Sequence, residues 1–326
     1  MKIALYSDLH RECATRESQL WEPPTRGYDQ PGWICQACGD LHKLGQWSNS
    51  STWHMGRCDV CGCDEVGITT PDNCGGVSRK WNRDLPSSDD YDVVVLAGDI
   101  ASHTRGLSWA STAFRQPVVY VAGNHEYYDA HLGLLAELQK PVWEQAGVHF
   151  LERRTFELNG VRFLGCTLWS AFDLHGAEKA DAYMTIAKFD INDYWMIGAK
   201  GGKRLEPRDT QKLHRTAVRW LDAELAKPYD GKTVVVTHFA PHRGCVAPQH
   251  QDSTVSPYFV TDLSRLMQKH QIDVWCHGHT HTNTDFIAEN GCRVVSNQLG
   301  YPGERTRTEF GMQIDTGFRN DLVIEL

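Results

Sequence analysis

The 326-residue chain has no apolar run long enough to cross a bilayer as a helix. Behind Met1, the apolar segment Ile3-Ala4-Leu5 is far too short for a secretory h-region. A cytoplasmic protein is the expectation. Positive charge is also scarce: 33 Lys and Arg stand against 41 Asp and Glu, a formal net charge of −8. Whole-molecule charge therefore gives no attraction to nucleic acid or to an anionic membrane. An anionic substrate would need local cations, which bound metal ions supply. There is no internal repeat and no low-complexity segment. With 41% hydrophobic and 23% charged residues, the chain is an ordinary globular protein. Its length fits two domains, or one large α/β domain carrying an insertion.

Cysteine, by contrast, is abundant. Of eleven, six (Cys35, Cys38, Cys58, Cys61, Cys63, Cys74) fall in one stretch. Such clustering in a cytosolic chain argues for metal binding over a disulfide framework. Cys35-Gln36-Ala37-Cys38-Gly39 and Cys58-Asp59-Val60-Cys61-Gly62 form two knuckles spaced C-x2-C-x19-C-x2-C, close to a structural zinc ribbon. Glycine after each pair permits the tight turn that faces backbone N–H groups to the thiolates. Cys35, Cys38, Cys58 and Cys61 are thus expected to hold one structural zinc, in a ribbon-like subdomain over residues 30–76. It would lie inside a longer insertion from about Arg11 to Pro86. Reduced buried thiols are the competing reading. Cys63, Cys74, His42 and His54 are substitutes or spectators.

His10-Arg11-Glu12 followed by Cys35 and Cys38 also echoes the H-x-E…P-C-x-x-C arrangement of zinc deaminases. Ile34 stands where the proline belongs, and the second cysteine pair would be surplus. The ribbon would staple an insertion that lacks its own core, or shape a cleft, or grip nucleic acid through Trp21, Trp33, Trp47, Trp53 and Trp81. Few cations accompany these tryptophans, which favours the staple or the cleft lid.

Outside the insertion the chain reads as α/β. Buried strands are expected at Lys2 to Tyr6, Asp92 to Ala97, Pro117 to Ala122, Lys232 to Thr237 and Ile272 to Cys276. Asn159-Gly160 reads as the two-residue turn of a hairpin. Helices are expected from about Gly106 to Arg115, Ala130 to Gln145, Val260 to His270, and from an Asp209 N-cap to Ala226. Trp143, Trp169, Trp195, Trp220 and Trp275 read as core.

Each of the five strands ends in side chains able to bind metal: Asp8 and His10, Asp99, Asn124 and His125, His238, His279 and His281. An N-cap or a turn explains any one of them. Five in succession point to one site. Mixed Asp, Asn and His ligands suit borderline divalent ions such as Mn, Fe, Zn or Ni. Two such ions close together can stabilise displacement at phosphorus.

Asp8-Leu9-His10, Gly98-Asp99, Gly123-Asn124-His125, His238 and Gly278-His279-Thr280-His281 resemble, in order and spacing, the five signature blocks of the calcineurin-like metallophosphoesterases. Further segments, such as Thr237-His238-Phe239-Ala240-Pro241, resemble a bacterial and phage branch of that superfamily. The resemblance implies a four-layer α/β/β/α sandwich and a dinuclear centre. Asp8, His10 and His281 would hold one metal; Asn124, His238 and His279 the other; Asp99 would bridge. His125 would face the scissile phosphate as the catalytic acid. His277 falls outside the pattern and reads as a packing residue.

One departure matters. Protein serine/threonine phosphatases follow Gly-Asp with Val-Asp-Arg-Gly, whereas this chain has Ile100-Ala101-Ser102-His103. The expected activity is therefore metal-dependent hydrolysis of a phosphoester, with a phosphodiester, nucleotide or nucleic acid preferred to a phosphoprotein. A phosphomonoesterase, and a non-catalytic binding module on the same fold, are the alternatives.

Overall fold

The computed structural model describes residues 1–12, 32–35, 41–43, 66–68, 90–301 and 317–326. Two compact units emerge: Met1–His10 with Ser87–Leu326, and Arg11–Pro86. In the smaller unit, strands β2 (Gly32–Cys35), β3 (Leu41–Lys43) and β4 (Val66–Ile68) form an antiparallel sheet in the order β3-β2-β4. The residues proposed for zinc, with Cys63, Cys74, His42 and His54, have side chains outside the described residues.

The larger unit begins with β1 (Lys2–Tyr6), preceding the smaller unit in the chain. It resumes with β5 (Val93–Ala97), β6 (Val118–Val121) and β7 (Val148–Phe150). These strands are mutually parallel, and β14 (Val323–Glu325) pairs antiparallel with β1. A second sheet contains the hairpin β8 (Arg154–Leu158) and β9 (Val161–Cys166), then β10 (Lys232–Thr237), β11 (Val274–His277), β12 (Asp285–Ile287) and β13 (Arg293–Ser296). Its order is β12-β13-β11-β10-β9-β8.

The β5 run Val-Val-Val-Leu-Ala is buried at every position, as a central parallel strand covered on both faces requires. Its alternate residues Val93, Val95 and Ala97 join Ile3, Leu5, Phe163, Val234, Val236, Val274 and Val295 in one apolar cluster. That cluster draws on both sheets and is the core between them. Helix Arg105–Ala113 packs on β6 and β7, and helix Pro207–Leu225 on β9. The result is the expected α/β/β/α layering. Among the described residues, no helix is long and apolar enough to cross a membrane.

Four local expectations are corrected. The helix read from Ala130 to Gln145 breaks into a 3-10 turn and the helices Leu135–Leu138 and Pro141–Gln145. Pro141 has no N–H to continue a helix and holds Lys140 extended. Asp209 is not the N-cap of its helix: Glu206 is, and Asp209 at the third position returns the bond in a capping box with Pro207 between them. The helix read from Val260 is shorter, Ser264–Lys269. Trp195 is 52% exposed, not core. It stands two residues after buried Asp193 on the helix Asp193–Met196, about 200° around the axis.

Candidate metal centre

The C-terminal ends of β1, β5 and β6 in one sheet and of β10 and β11 in the other converge. Backbone bonds join the segments: Asp8 N–H donates to the Gly98 carbonyl at 3.0 Å, His10 N–H to Asp99 at 3.0 Å, and Gly278 N–H to His238 at 2.9 Å. Asp8, His10, Asp99, His279 and His281 all adopt left-handed backbone, φ between 44° and 75°. An L-residue there costs roughly 1–2 kcal/mol. Five such residues in one place mark backbone held by its surroundings.

Two glycines make the approach possible. Gly98 has φ +86°, and a Cβ on it would lie 2.5 Å from His238 Nδ1. The φ of Gly278 is outside the left-handed region. Space is what it supplies: a Cβ would lie 2.5 Å from Asp8 Oδ2 and 3.0 Å from the Ala97 carbonyl.

The structure brings together all eight side chains singled out from the five strand ends. Ligand-type atoms of Asp8, His10 and His281 lie within 4.8 Å of one another, as do those of Asp99, His238 and His279 and those of His10, Asp99 and His125. Asp99 thus belongs to groups on both sides. His10 Nε2 is 3.0 Å from His281 Nε2, which is 3.4 Å from Asp8 Oδ1. His238 Nε2 is 3.1 Å from His279 Nδ1, 3.1 Å from Asn124 Oδ1 and 3.4 Å from Asp99 Oδ2. Ligands about 2.1 Å from a shared ion stand roughly 3 Å apart, so these spacings match the edges of a coordination shell.

The proton balance points the same way. His238 Nδ1 is 2.9 Å from the Ala97 carbonyl and so carries its hydrogen. In the neutral ring, Nε2 then has only a lone pair, aimed at the lone pairs of Asn124 and Asp99. The site is short of positive charge. Burial opposes protonation of His238, yet Asp99 and Asp8 push its pKa up to about 9. Burial raises the Asp99 carboxyl, but His238 and His125 outweigh it and hold it well below the usual range. Asp8 is likewise lowered, its burial outweighed by the His281 hydrogen bond and by His238. Burial, then His238, holds His279 well below the ordinary histidine value. Divalent cations fit this set of donors.

Several supporting residues were not assigned a role from sequence. Buried Glu126 accepts from the N–H groups of Asp99 (3.1 Å), Ile100 (2.9 Å) and Gly123 (2.7 Å) and from Tyr120 Oη (2.7 Å), tying the ends of β5 and β6 together. Burial, then repulsion from Asp99, pushes its carboxyl up to about 7. Gln298 Oε1 accepts from His281 N–H at 2.7 Å. Tyr301 Oη lies 2.7 Å from His125 Nε2. Glu126 stands beside a recognised block, but nothing in its spacing reveals what it bonds. Gln298 and Tyr301 arrive from after β13, outside the five ligand blocks.

Three neighbouring residues have defined places. Tyr128 stacks on His125, ring centroids 4.0 Å apart. His277 is buried, with Nε2 3.0 Å from Thr284 Oγ1. His242 accepts from Gly244 N–H through Nδ1 at 2.9 Å, a loop cap.

The family model described as "Calcineurin-like phosphoesterase" matches residues 1–283. The chain is similar to the uncharacterized protein L509 of Acanthamoeba polyphaga mimivirus, 28% identical over 254 residues, covering 72% of this chain and 87% of the relative. Among solved structures it is similar to the phosphopantetheinyl hydrolase PptH from Mycobacterium tuberculosis. That match has a TM-score of 0.56 at 20% identity, over 72% of this chain and 88% of the other. A likeness at that identity speaks for the fold.

Proposed function

The chain belongs to the calcineurin-like phosphoesterase family, and from that premise we propose how its residues divide the work of a metal-dependent phosphoester hydrolase. Asp8, His10 and His281 would hold one divalent cation, Asn124, His238 and His279 would hold the other, and Asp99 would serve both. The mixed carboxylate, amide and imidazole donors suit manganese, iron, zinc or nickel. When bound, the pair supplies Lewis acidity toward phosphoryl oxygens and acidifies water at neutral pH. The observation that carries this reading is the gathering of ligand-type atoms of Asp8, His10 and His281, and of Asp99, His238 and His279, within 4.8 Å of one another.

His125 serves the leaving oxygen. Its ring is clamped between Tyr128 and the edge of His10, 4.0 and 4.4 Å away by centroid, and the His125 backbone N–H donates to Asp99 Oδ1 at 2.9 Å. Its Nε2 meets the Tyr301 hydroxyl, an oxygen where the departing oxygen of a substrate would sit. As a water oxygen bonds to phosphorus, releasing a proton to solvent, the P–O bond to the leaving group breaks, and the imidazolium gives its proton to the departing oxygen and is left neutral.

The substrate is a phosphodiester or nucleotide-like ester in preference to a phosphoprotein. The arginine run of protein phosphatases is absent, and Arg105, six residues after Asp99, donates to the Ser102 carbonyl at 3.4 Å. A single structural zinc in the Cys35, Cys38, Cys58 and Cys61 set belongs to the same proposal, as a staple of the insertion.

His125→Ala should keep both cations and lose about 10²–10⁴-fold in turnover; a variant at full rate removes His125 from the chemistry. Metal-loaded protein assayed on phosphomonoesters, cyclic nucleotides, dinucleotides, a phosphopantetheinyl ester and nucleic acid tests the substrate class. Turnover confined to monoesters would overturn the diester preference.

A further inference from the structure

Asp193 is a fully buried carboxylate that takes its hydrogen bonds from uncharged side chains. Burying an unpaired charge costs several kcal/mol, so its retention calls for a use. Its partners are all neutral donors. Asn124 Nδ2 and Tyr128 Oη each lie 2.9 Å from Asp193 Oδ1, and Tyr258 Oη donates to Oδ2. Tyr128 stacks on His125, and the other face of the Asn124 amide, Oδ1, is 3.1 Å from His238 Nε2.

An asparagine amide has two unlike ends in nearly the same shape, one that donates and one that accepts. Nothing in its packing alone decides which end faces the centre. A carboxylate can only accept. Set against Asn124, it compels the NH₂ end to face outward and the carbonyl oxygen to face His238 and the place of the second cation. From this geometry we infer that Asp193 is a positioning residue that fixes the Asn124 amide and thereby sets the affinity for the second divalent ion. The same carboxylate, through Tyr128, keeps that ring flat against His125. The inference rests on the reading of Asn124 as a ligand.

In the Asp193→Asn variant the neighbouring amide can present either end, so Asn124 can turn its NH₂ toward the cation. Loss of such a supporting contact weakens metal binding by about 10- to 100-fold. The measurement is Mn²⁺ binding to the metal-stripped full chain, by calorimetry and by electron paramagnetic resonance, where two adjacent Mn²⁺ ions give a coupled signal and one alone does not. Asp193→Asn should bind the first Mn²⁺ as the wild type does, bind the second 10- to 100-fold more weakly, and lose the coupled signal at limiting metal. Tyr258→Phe, which leaves the Asp193–Asn124 bond in place, should bind both ions normally. Should Asp193→Asn fail to fold, Asp193→Ser, whose hydroxyl tolerates either end of the amide, is read the same way. Asn124→Ala runs in parallel. If it weakens the second ion while the Asp193 variants bind like wild type, the positioning role is overturned and the ligand reading survives. If neither Asn124→Ala nor the Asp193 variants change Mn²⁺ binding, Asn124 is not a ligand and the inference falls with it.

Discussion

Replacing Gly98 by alanine perturbs a close approach in the centre without removing a titratable group. Two costs are separable. Gly98 has φ +86°, and an L-residue in left-handed backbone costs roughly 1–2 kcal/mol. The new methyl would also lie 2.5 Å from His238 Nδ1 and 2.7 Å from Gly123 N, all in a buried layer. Overpacking of that kind costs about 1–3 kcal/mol. The sum is about 2–5 kcal/mol, and the second part should fall on the ring that bonds the Ala97 carbonyl at 2.9 Å. Gly147 is the matched control: φ +81°, with nothing within 4 Å of its would-be Cβ. Gly147→Ala should lose only the conformational part. Urea unfolding of wild type, Gly98→Ala and Gly147→Ala in excess chelator gives both numbers free of metal linkage. The expectation is a Gly98 variant less stable than the Gly147 variant by about 1–3 kcal/mol. Equal losses would refute the crowding, and with it the claim that glycine is there to let His238 approach.

Three other outcomes follow from the same physics. His277 is buried and neutral, burial having pushed its pKa down to about 4. Because the unfolded chain takes up that proton first, its contribution is complete above about pH 6.5 and is lost as pH falls toward 4. The stability difference between wild type and His277→Leu should therefore shrink by ~2 kcal/mol from pH 7 to pH 5, and a flat difference would refute it. Asp209→Ala, which opens the capping box with Glu206, should cost about 1 kcal/mol in urea unfolding, and a neutral change would refute the box. Metal analysis of Cys35→Ala should find one zinc fewer per chain than wild type; unchanged zinc would end the ribbon proposal.

Strands and their polar ends were legible because they rest on local rules. Val93 to Ala97 is apolar at every position, and only a strand covered on both faces uses that pattern. Asn159 and Gly160 both have positive φ, as a two-residue hairpin turn needs. What escaped depends on partners distant in sequence. Glu126 reads as one more acidic residue until the ends of β5 and β6 meet over it. Asp193, Gln298 and Tyr301 come from segments without periodicity, and each reaches the centre only through the fold. Trp195 misled because apolar character was taken as burial, while the helix turns it away from Asp193. At Gly278 the requirement is room beside Asp8, which no single segment displays.

The most direct test is to strip the full chain of metal and titrate it with Mn²⁺ while following hydrolysis of bis-(p-nitrophenyl) phosphate. The account predicts no turnover in chelator and activity that rises to a plateau as the pair of ions fills. Absence of turnover on this ester and on p-nitrophenyl phosphate with every divalent metal supplied would contradict it.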